Sequence, residues 1–91
     1  MLSVEGLIWD EWNKDHIAKH NVTPEEVEEI CHGKHQAILS FRGRIQLSGK
    51  TKSGKKLIII LSPEDRNLKK YGKGNYYPIT AFEEVKNDKS E

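Results

Sequence analysis

The chain has 91 residues, of which 32% are charged and 35% are hydrophobic. These values predict one small domain over residues 1–91 with a thin core, and they exclude wholesale disorder. The longest apolar run, residues 57–61, is too short to cross a bilayer, so we expect no membrane partner. A single cysteine, Cys31, permits no internal disulfide, and residues 1–12 lack the features of a secretory signal. Together these features predict a cytoplasmic protein.

Charge is distributed unevenly along the sequence. Residues 1–40 have three basic and eight acidic side chains, whereas residues 41–82 have ten basic and two acidic ones. Residues 83–91 have two basic and four acidic side chains. A strongly basic half is typical of a surface that faces a polyanion. Lysines that only solvate an exposed sheet give the same pattern, so both interpretations stay open.

Two helices are predicted in the first third of the chain, after a short apolar stretch at residues 5–9. Asp10 can cap a helix over residues 11–20. Residues 23–26 (TPEE) combine a capping box with proline at the first helical position, and Gly33 ends the second helix. The residues expected on the inner stripe of the first helix are Trp9, Trp12, Ile17 and His20.

Strand patterns dominate the rest of the chain. The predicted strands are residues 36–42, 44–50, 56–62 and 76–81. The third, KLIIILS, is expected to be central and buried on both faces, and a final helix is expected to begin near Ala81 and Phe82. The predicted fold class is α+β, with two N-terminal helices on one face of a three- to four-stranded antiparallel sheet and a short C-terminal helix.

The histidines and the cysteine do not form a metal-binding pattern. His16 and His20 lie four residues apart, and Cys31, His32 and His35 are close in sequence. Neither group completes a ligand set at a recognised spacing, so we predict no metal and no cofactor. Cys31 is expected to be a core residue rather than a nucleophile.

Three other residues could support cleavage of RNA. Without a metal, this reaction needs a base, an acid and cations around the phosphate. Lys19 and His20, at the end of the first predicted helix, and Arg44, on a basic strand, could supply these groups. Lys19 and His20 could equally serve only to stabilise the carboxyl end of the helix.

Four short motifs occur in a characteristic order. They are Trp9-Asp10, Lys19-His20-Asn21-Val22, Gly43-Arg44 and Ile79-Thr80-Ala81. In this order the chain resembles, over roughly residues 7–86, the BrnT family of type II toxin–antitoxin toxins. The resemblance implies a RelE-like ribonuclease fold, metal-independent RNA cleavage and neutralisation by a cognate ribbon–helix–helix antitoxin. It implies Lys19, His20 and Arg44 as catalytic residues and a structural role for Trp9 and Asp10.

The chain departs from this family at the closing motif, where the family has arginine and this sequence has Phe82. Phenylalanine cannot replace a guanidinium that stabilises a charged phosphate. Three hypotheses follow: a BrnT-like endoribonuclease toxin, a catalytically inactive relative that binds RNA or protein, or a plain interaction domain whose lysines serve only solubility. For RNA binding, the basic residues expected to make contact are Arg42, Lys52, Lys55, Arg66, Lys70 and Lys73.

Overall fold

The computed structural model of the chain describes residues 2–64 and 72–84. These residues form two α-helices, one short 3₁₀ helix (Phe41–Gly43) and five strands. The elements are β1 (Gly6–Leu7), α1 (Glu11–Ala18), α2 (Pro24–Cys31), β2 (Gln36–Leu39), β3 (Ile45–Lys50), β4 (Lys56–Ser62) and β5 (Asn75–Glu83). The strands form one sheet in the order β1-β5-β4-β3-β2. No described helix is long and apolar enough to cross a membrane.

Both helices begin with capping boxes: the sequence predicts the one at Thr23 and Glu26, and at Asp10 it predicts only the cap. The Asp10 carboxylate accepts a hydrogen bond from the Asn13 N–H, and the Asn13 side chain accepts one from the Asp10 N–H, both at 2.9 Å. The same reciprocal pair links Thr23 and Glu26, at 3.2 and 3.0 Å. Each pair satisfies two N–H groups that a helix start otherwise leaves without partners.

The inner stripe predicted for α1 is right at Ile17 and Trp9, which lie in or against the core, but wrong at Trp12 and His20. Asn13 and Ile17 are buried, whereas Trp12 is 40% exposed and His20 is also exposed. The Asn13 amide donates to the carbonyl oxygens of Ile8 and Pro78, at 3.0 and 3.1 Å. These two hydrogen bonds allow the polar Asn13 side chain to be buried. The stripe of α1 that faces the sheet therefore passes through Asn13 and Ile17.

The predicted fold class is contradicted in two respects. The sheet has five strands and is mixed, because β1 pairs in parallel with β5. No helix begins at Ala81: residues 81–83 continue β5, with Phe82 paired to Ile58 and Glu83 to Leu57. Pairing with the apolar β4 supplies backbone hydrogen bonds that outweigh the helical pattern of these residues. Residues 85–91, where the predicted helix would continue, lie outside the described part.

The two faces of the sheet differ. One face packs against the helices and forms the core; its buried strand residues are Leu47, Leu57, Ile59, Leu61 and Ala81. We call the opposite side the open face; its residues include Gln46, Ser48, Ile58, Ile60, Thr80 and Phe82. The predicted central position of β4 is confirmed. The predicted burial of both its faces is wrong, because Ile58 and Ile60 are only half-buried.

Candidate functional site

Lys19 and His20 lie in the turn that ends α1. Asn21 adopts a left-handed backbone conformation there, with φ of 63°, which asparagine tolerates better than most residues. The N–H of Val22 then donates to the carbonyl of Ile17 at 3.1 Å, and this bond closes the helix. Both Lys19 and His20 are exposed as a result.

His20 belongs to a row of four rings, which we call the aromatic row: Trp12, His16, His20 and Phe82. Trp12 stacks on His16, with ring centroids 4.9 Å apart and planes 7° apart. His16 meets His20 edge-on at 5.4 Å, and His20 meets Phe82 edge-on at 6.2 Å. The i, i+4 spacing aligns the first three rings along α1 and the turn that ends it, and the end of β5 supplies the fourth.

Sequence reasoning missed most of this row. It placed Trp12 in the core, considered His16 only as a metal ligand and expected Phe82 on a helix. The regular spacing of Trp12, His16 and His20 was the available signal. The contact with Phe82 depends on the position of α1 beside β5, which no local pattern specifies.

Arg44 lies away from His20. Arg44 comes directly before Ile45, which pairs with Leu61, whereas Phe82 pairs with Ile58 and through it with Ser48. Arg44 is four residues along the chain from Ser48, and two strand spacings separate Ser48 from Phe82. The Cα atoms of Arg44 and Phe82 are therefore ~16 Å apart. Arg44 shares the open face by alternation along β3, but the structure does not bring it beside Lys19 and His20.

The other predicted RNA contacts are dispersed. The Lys55 ammonium bonds Glu26 at 3.2 Å and the carbonyl of Asn21, so it fastens the β3–β4 turn to the helices. Lys52 is exposed in that same turn, and Lys73 is exposed just before β5. Arg42 is exposed in the turn after β2. Arg66 and Lys70 lie outside the described residues.

Trp9 and Asp10 have the structural role that the resemblance implies. The Trp9 indole donates to the Glu28 carboxylate at 2.8 Å, which joins the chain before α1 to α2. The Tyr77 hydroxyl donates to both oxygens of the Asp10 carboxylate, at 2.9 and 3.0 Å. Asp10 therefore caps α1 and also fastens its start to β5.

Two other titratable side chains, Cys31 and His35, are buried. Within residues 2–64 and 72–84, no three His, Cys, Asp or Glu residues cluster as metal ligands would. Burial raises the pKa of the Cys31 thiol to about 12, so this core thiol stays protonated near neutral pH. His35 is also buried; its Nδ1 contacts the Ile30 carbonyl oxygen at 2.9 Å and its Nε2 accepts from the Leu2 N–H at 3.1 Å.

The end of α1 presents an exposed imidazole next to an exposed ammonium group. An exposed imidazole can take up or release a proton, and the adjacent Lys19 can stabilise negative charge. Trp12 and Phe82, 40% and 37% exposed, flank the histidines with rings of the kind on which unpaired bases stack. Comparisons of the chain with models of protein families, with curated proteins and with solved structures find no match.

Proposed function

We propose that this chain is a BrnT-like endoribonuclease toxin of a type II toxin–antitoxin system, with His20 at the centre of its active site. The observation that carries the proposal is the contact between His20 and Phe82, 6.2 Å between ring centroids. Position 82 is where the resemblance expects an arginine, and it lies beside the histidine of the Lys-His motif. Two motifs that are 62 residues apart in the sequence are thus neighbours in space.

The proposed reaction is an internal transfer of the phosphodiester. The ribose 2′-oxygen forms a bond to phosphorus and loses its proton to a base, while the bond to the 5′-oxygen breaks and that oxygen gains a proton. His20 exchanges protons with the reacting oxygens, and Lys19 stabilises the charge on the phosphate. An unpaired base stacks on the exposed rings of the aromatic row.

A second function, an inactive relative that binds RNA or protein, is favoured by two observations. Phe82 places a phenyl ring where a guanidinium would stand, and Arg44 lies ~16 Å from it. Loss of one preorganised group that stabilises transition-state charge lowers a rate by about 10²–10³. The choice between the two functions therefore depends on whether Lys19 and His20 suffice.

The resemblance also supplies the proposed partner and location. A cytoplasmic ribbon–helix–helix antitoxin would bind the toxin and cover its basic residues. Co-expression with the product of an adjacent reading frame, followed by co-purification, tests this partner. Failure of every such neighbour to associate would contradict the antitoxin proposal and leave the nuclease proposal to its own test.

The decisive experiment is cleavage of a single-stranded RNA by the full chain in the presence of a metal chelator. We expect products with a 2′,3′-cyclic phosphate, and no cut where the ribose 2′-hydroxyl is replaced by hydrogen. His20→Ala should lower the cleavage rate by about 10²–10⁴, whereas His32→Ala, at an exposed histidine that ends α2, should leave it unchanged. Absence of cleavage by the wild-type chain, with no growth arrest on its expression, would favour the inactive relative.

A further inference from the structure

A cleft of about 460 Å³ lies at one end of the open face. It is lined by residues from β2, β3, β4 and the segments next to them, and three of these are exposed lysines. The lining residues that matter here are Lys34, Gln36, Ser48, Lys50, Lys56 and Glu84. None of the three lysines belongs to the RNA contacts that the sequence predicts.

Two of the lysines face each other across neighbouring strands. Lys50 and Lys56 are register partners in the antiparallel pair of β3 and β4. Like charges directly opposite each other destabilise a sheet, because their Cβ atoms lie only ~5 Å apart. In residues 2–64 and 72–84, neither of these lysines nor Lys34 forms an ion pair with a carboxylate. Solvation at the exposed end of the sheet and the Glu84 carboxylate at the same cleft offset part of this repulsion, and a bound anion would offset more of it.

The third lysine joins the cleft through a close approach of α2 to the sheet. A Cβ atom at Gly49 would lie 2.7 Å from the Ile30 side chain and 3.1 Å from the carbonyl of Lys34. Only glycine at this position of β3 lets the chain after α2 pack so closely. Gly49 therefore holds Lys34 at the cleft, near Lys50.

The cleft lies at the same end of the sheet as His20. Phe82, which contacts His20, pairs with Ile58, and Lys56 follows on the same face two residues away, at ~7 Å along the strand. From β5 to β2 the sheet spans three strand spacings, or ~14 Å. A strand of RNA with one phosphate at His20 would thus pass directly over the lysines.

We propose that Lys34, Lys50 and Lys56 bind consecutive phosphates of a single-stranded RNA next to the phosphate held at His20, with Gln36 and Ser48 as neutral hydrogen-bonding partners. The proposal deepens the proposed function and rests on it for the identity of the ligand. Glu84 lies at the same cleft and opposes binding, because its carboxylate repels phosphate.

Binding of a fluorescent single-stranded RNA to the full chain, measured by anisotropy over a range of salt concentrations, tests the cleft. For the variant Lys50→Gln plus Lys56→Gln, the slope of log K against log salt should fall by about 1.4, since each lost phosphate contact contributes about 0.7 for single strands. The matched single-charge pair is Lys50→Gln, whose slope should fall by about 0.7, and Lys14→Gln, which removes the same charge from an exposed residue of α1 away from the cleft and should keep the wild-type slope. Equal loss in both single variants, or in neither, would overturn the proposal.

A substitution that removes a negative charge from the cleft gives a second test. Glu84→Gln should tighten RNA binding two- to threefold, an order-of-magnitude expectation for removing one nearby like charge, whereas Glu83→Gln, on the next residue, should not. If a poly-glutamate peptide binds with the same lysine dependence and the RNA does not, the cleft serves an acidic protein segment and the proposal fails. RNA binding through the cleft without cleavage would overturn the nuclease proposal alone. Cleavage that depends on His20, with an unchanged salt slope in the lysine variant, would overturn the cleft alone.

Discussion

The imidazole of His20 meets the phenyl ring of Phe82 edge-on, with ring centroids 6.2 Å apart and planes 60° apart. The contact joins the end of α1 to the end of β5, and both side chains are exposed. It exists because α1 runs beside β5, fastened by Asn13 to the Pro78 carbonyl and by Asp10 to Tyr77. A side chain at position 82 is therefore placed to act on whatever His20 binds.

The substitution Phe82→Arg should increase RNA cleavage. It puts a guanidinium beside His20, where it can stabilise negative charge on the phosphate, and a single such group contributes about 10²–10³ in rate. Phe82 is 37% exposed, so arginine can be accommodated without burying its charge. The measurements are the cleavage rate of the purified variant and growth arrest on its expression.

Phe82→Leu is the control for this prediction, since it removes the phenyl ring without adding a charge. An equal gain in both variants would mean that the ring merely blocks the site. No gain in Phe82→Arg, in a variant whose circular dichroism matches the wild type, would contradict a phosphate site at His20.

His20 and Arg44 should differ in their effect on cleavage. His20→Ala removes the proton-transfer group and should lower the rate by about 10²–10⁴. Arg44→Ala should lower it by no more than about tenfold, because Arg44 lies ~16 Å from position 82 and can contact only distant parts of the RNA. Single-turnover rates for both variants test this ranking. Equal losses would mean that the two residues act on the same phosphate, contrary to the register of β3, β4 and β5.

The sequence predicted those features that local chemistry determines. The cap at Asp10 and the capping box at Thr23 and Glu26 are confirmed, and the bounds of β4 match the prediction. Cys31 is buried, as its apolar helix face predicted. Each of these follows from side chains only a few residues apart.

Features that depend on long-range packing were beyond sequence reasoning. The parallel pairing of β1 with β5 joins residues almost 70 positions apart, Gly6 with Asn75. Asn13 reads as an ordinary polar helix residue until the Pro78 carbonyl is known to lie under it. The same division applies to the candidate site. Lys19 and His20 are adjacent in the sequence, whereas the contact of His20 with Phe82 depends on the packing of α1 beside the sheet.

Asn13→Ala should destabilise the fold by about 2–3 kcal/mol. The substitution removes the amide donor that the carbonyls of Ile8 and Pro78 share, and it removes half of the capping box at Asp10. Urea denaturation gives the free energy of unfolding. Lys14→Ala, at the next and exposed position of α1, is the control and should change stability by less than about 0.5 kcal/mol. A small effect of Asn13→Ala would contradict the role of its amide in fastening α1 to β5.

Gly49→Ala should also destabilise the fold, by about 1–3 kcal/mol, because the added Cβ overlaps the Ile30 side chain at 2.7 Å. Since that contact sets the position of Lys34, RNA affinity should fall together with stability. Ser48→Ala changes the neighbouring residue on the open face and should leave the stability nearly unchanged. An unaltered melting temperature in Gly49→Ala would show that α2 can move away from the sheet at little cost.

The stability of the protein should fall between pH 9 and pH 12 through Cys31. Burial raises the pKa of its thiol from 9.0 to about 12, and the Glu28 carboxylate adds to the shift. Below pH 9 the thiol is protonated in both the folded and the unfolded state, so burial of the neutral thiol contributes its full stabilisation. Above pH 9 the unfolded chain loses the proton first, so the free energy of unfolding decreases by about 1.4 kcal/mol per pH unit. Urea denaturation of the wild type and of Cys31→Ala, at about pH 8 and about pH 10, isolates this effect from the lysines and tyrosines, which titrate in both proteins. The stability difference between the two proteins should shrink at the higher pH; a constant difference would mean that the buried thiol ionises no later than in the unfolded chain.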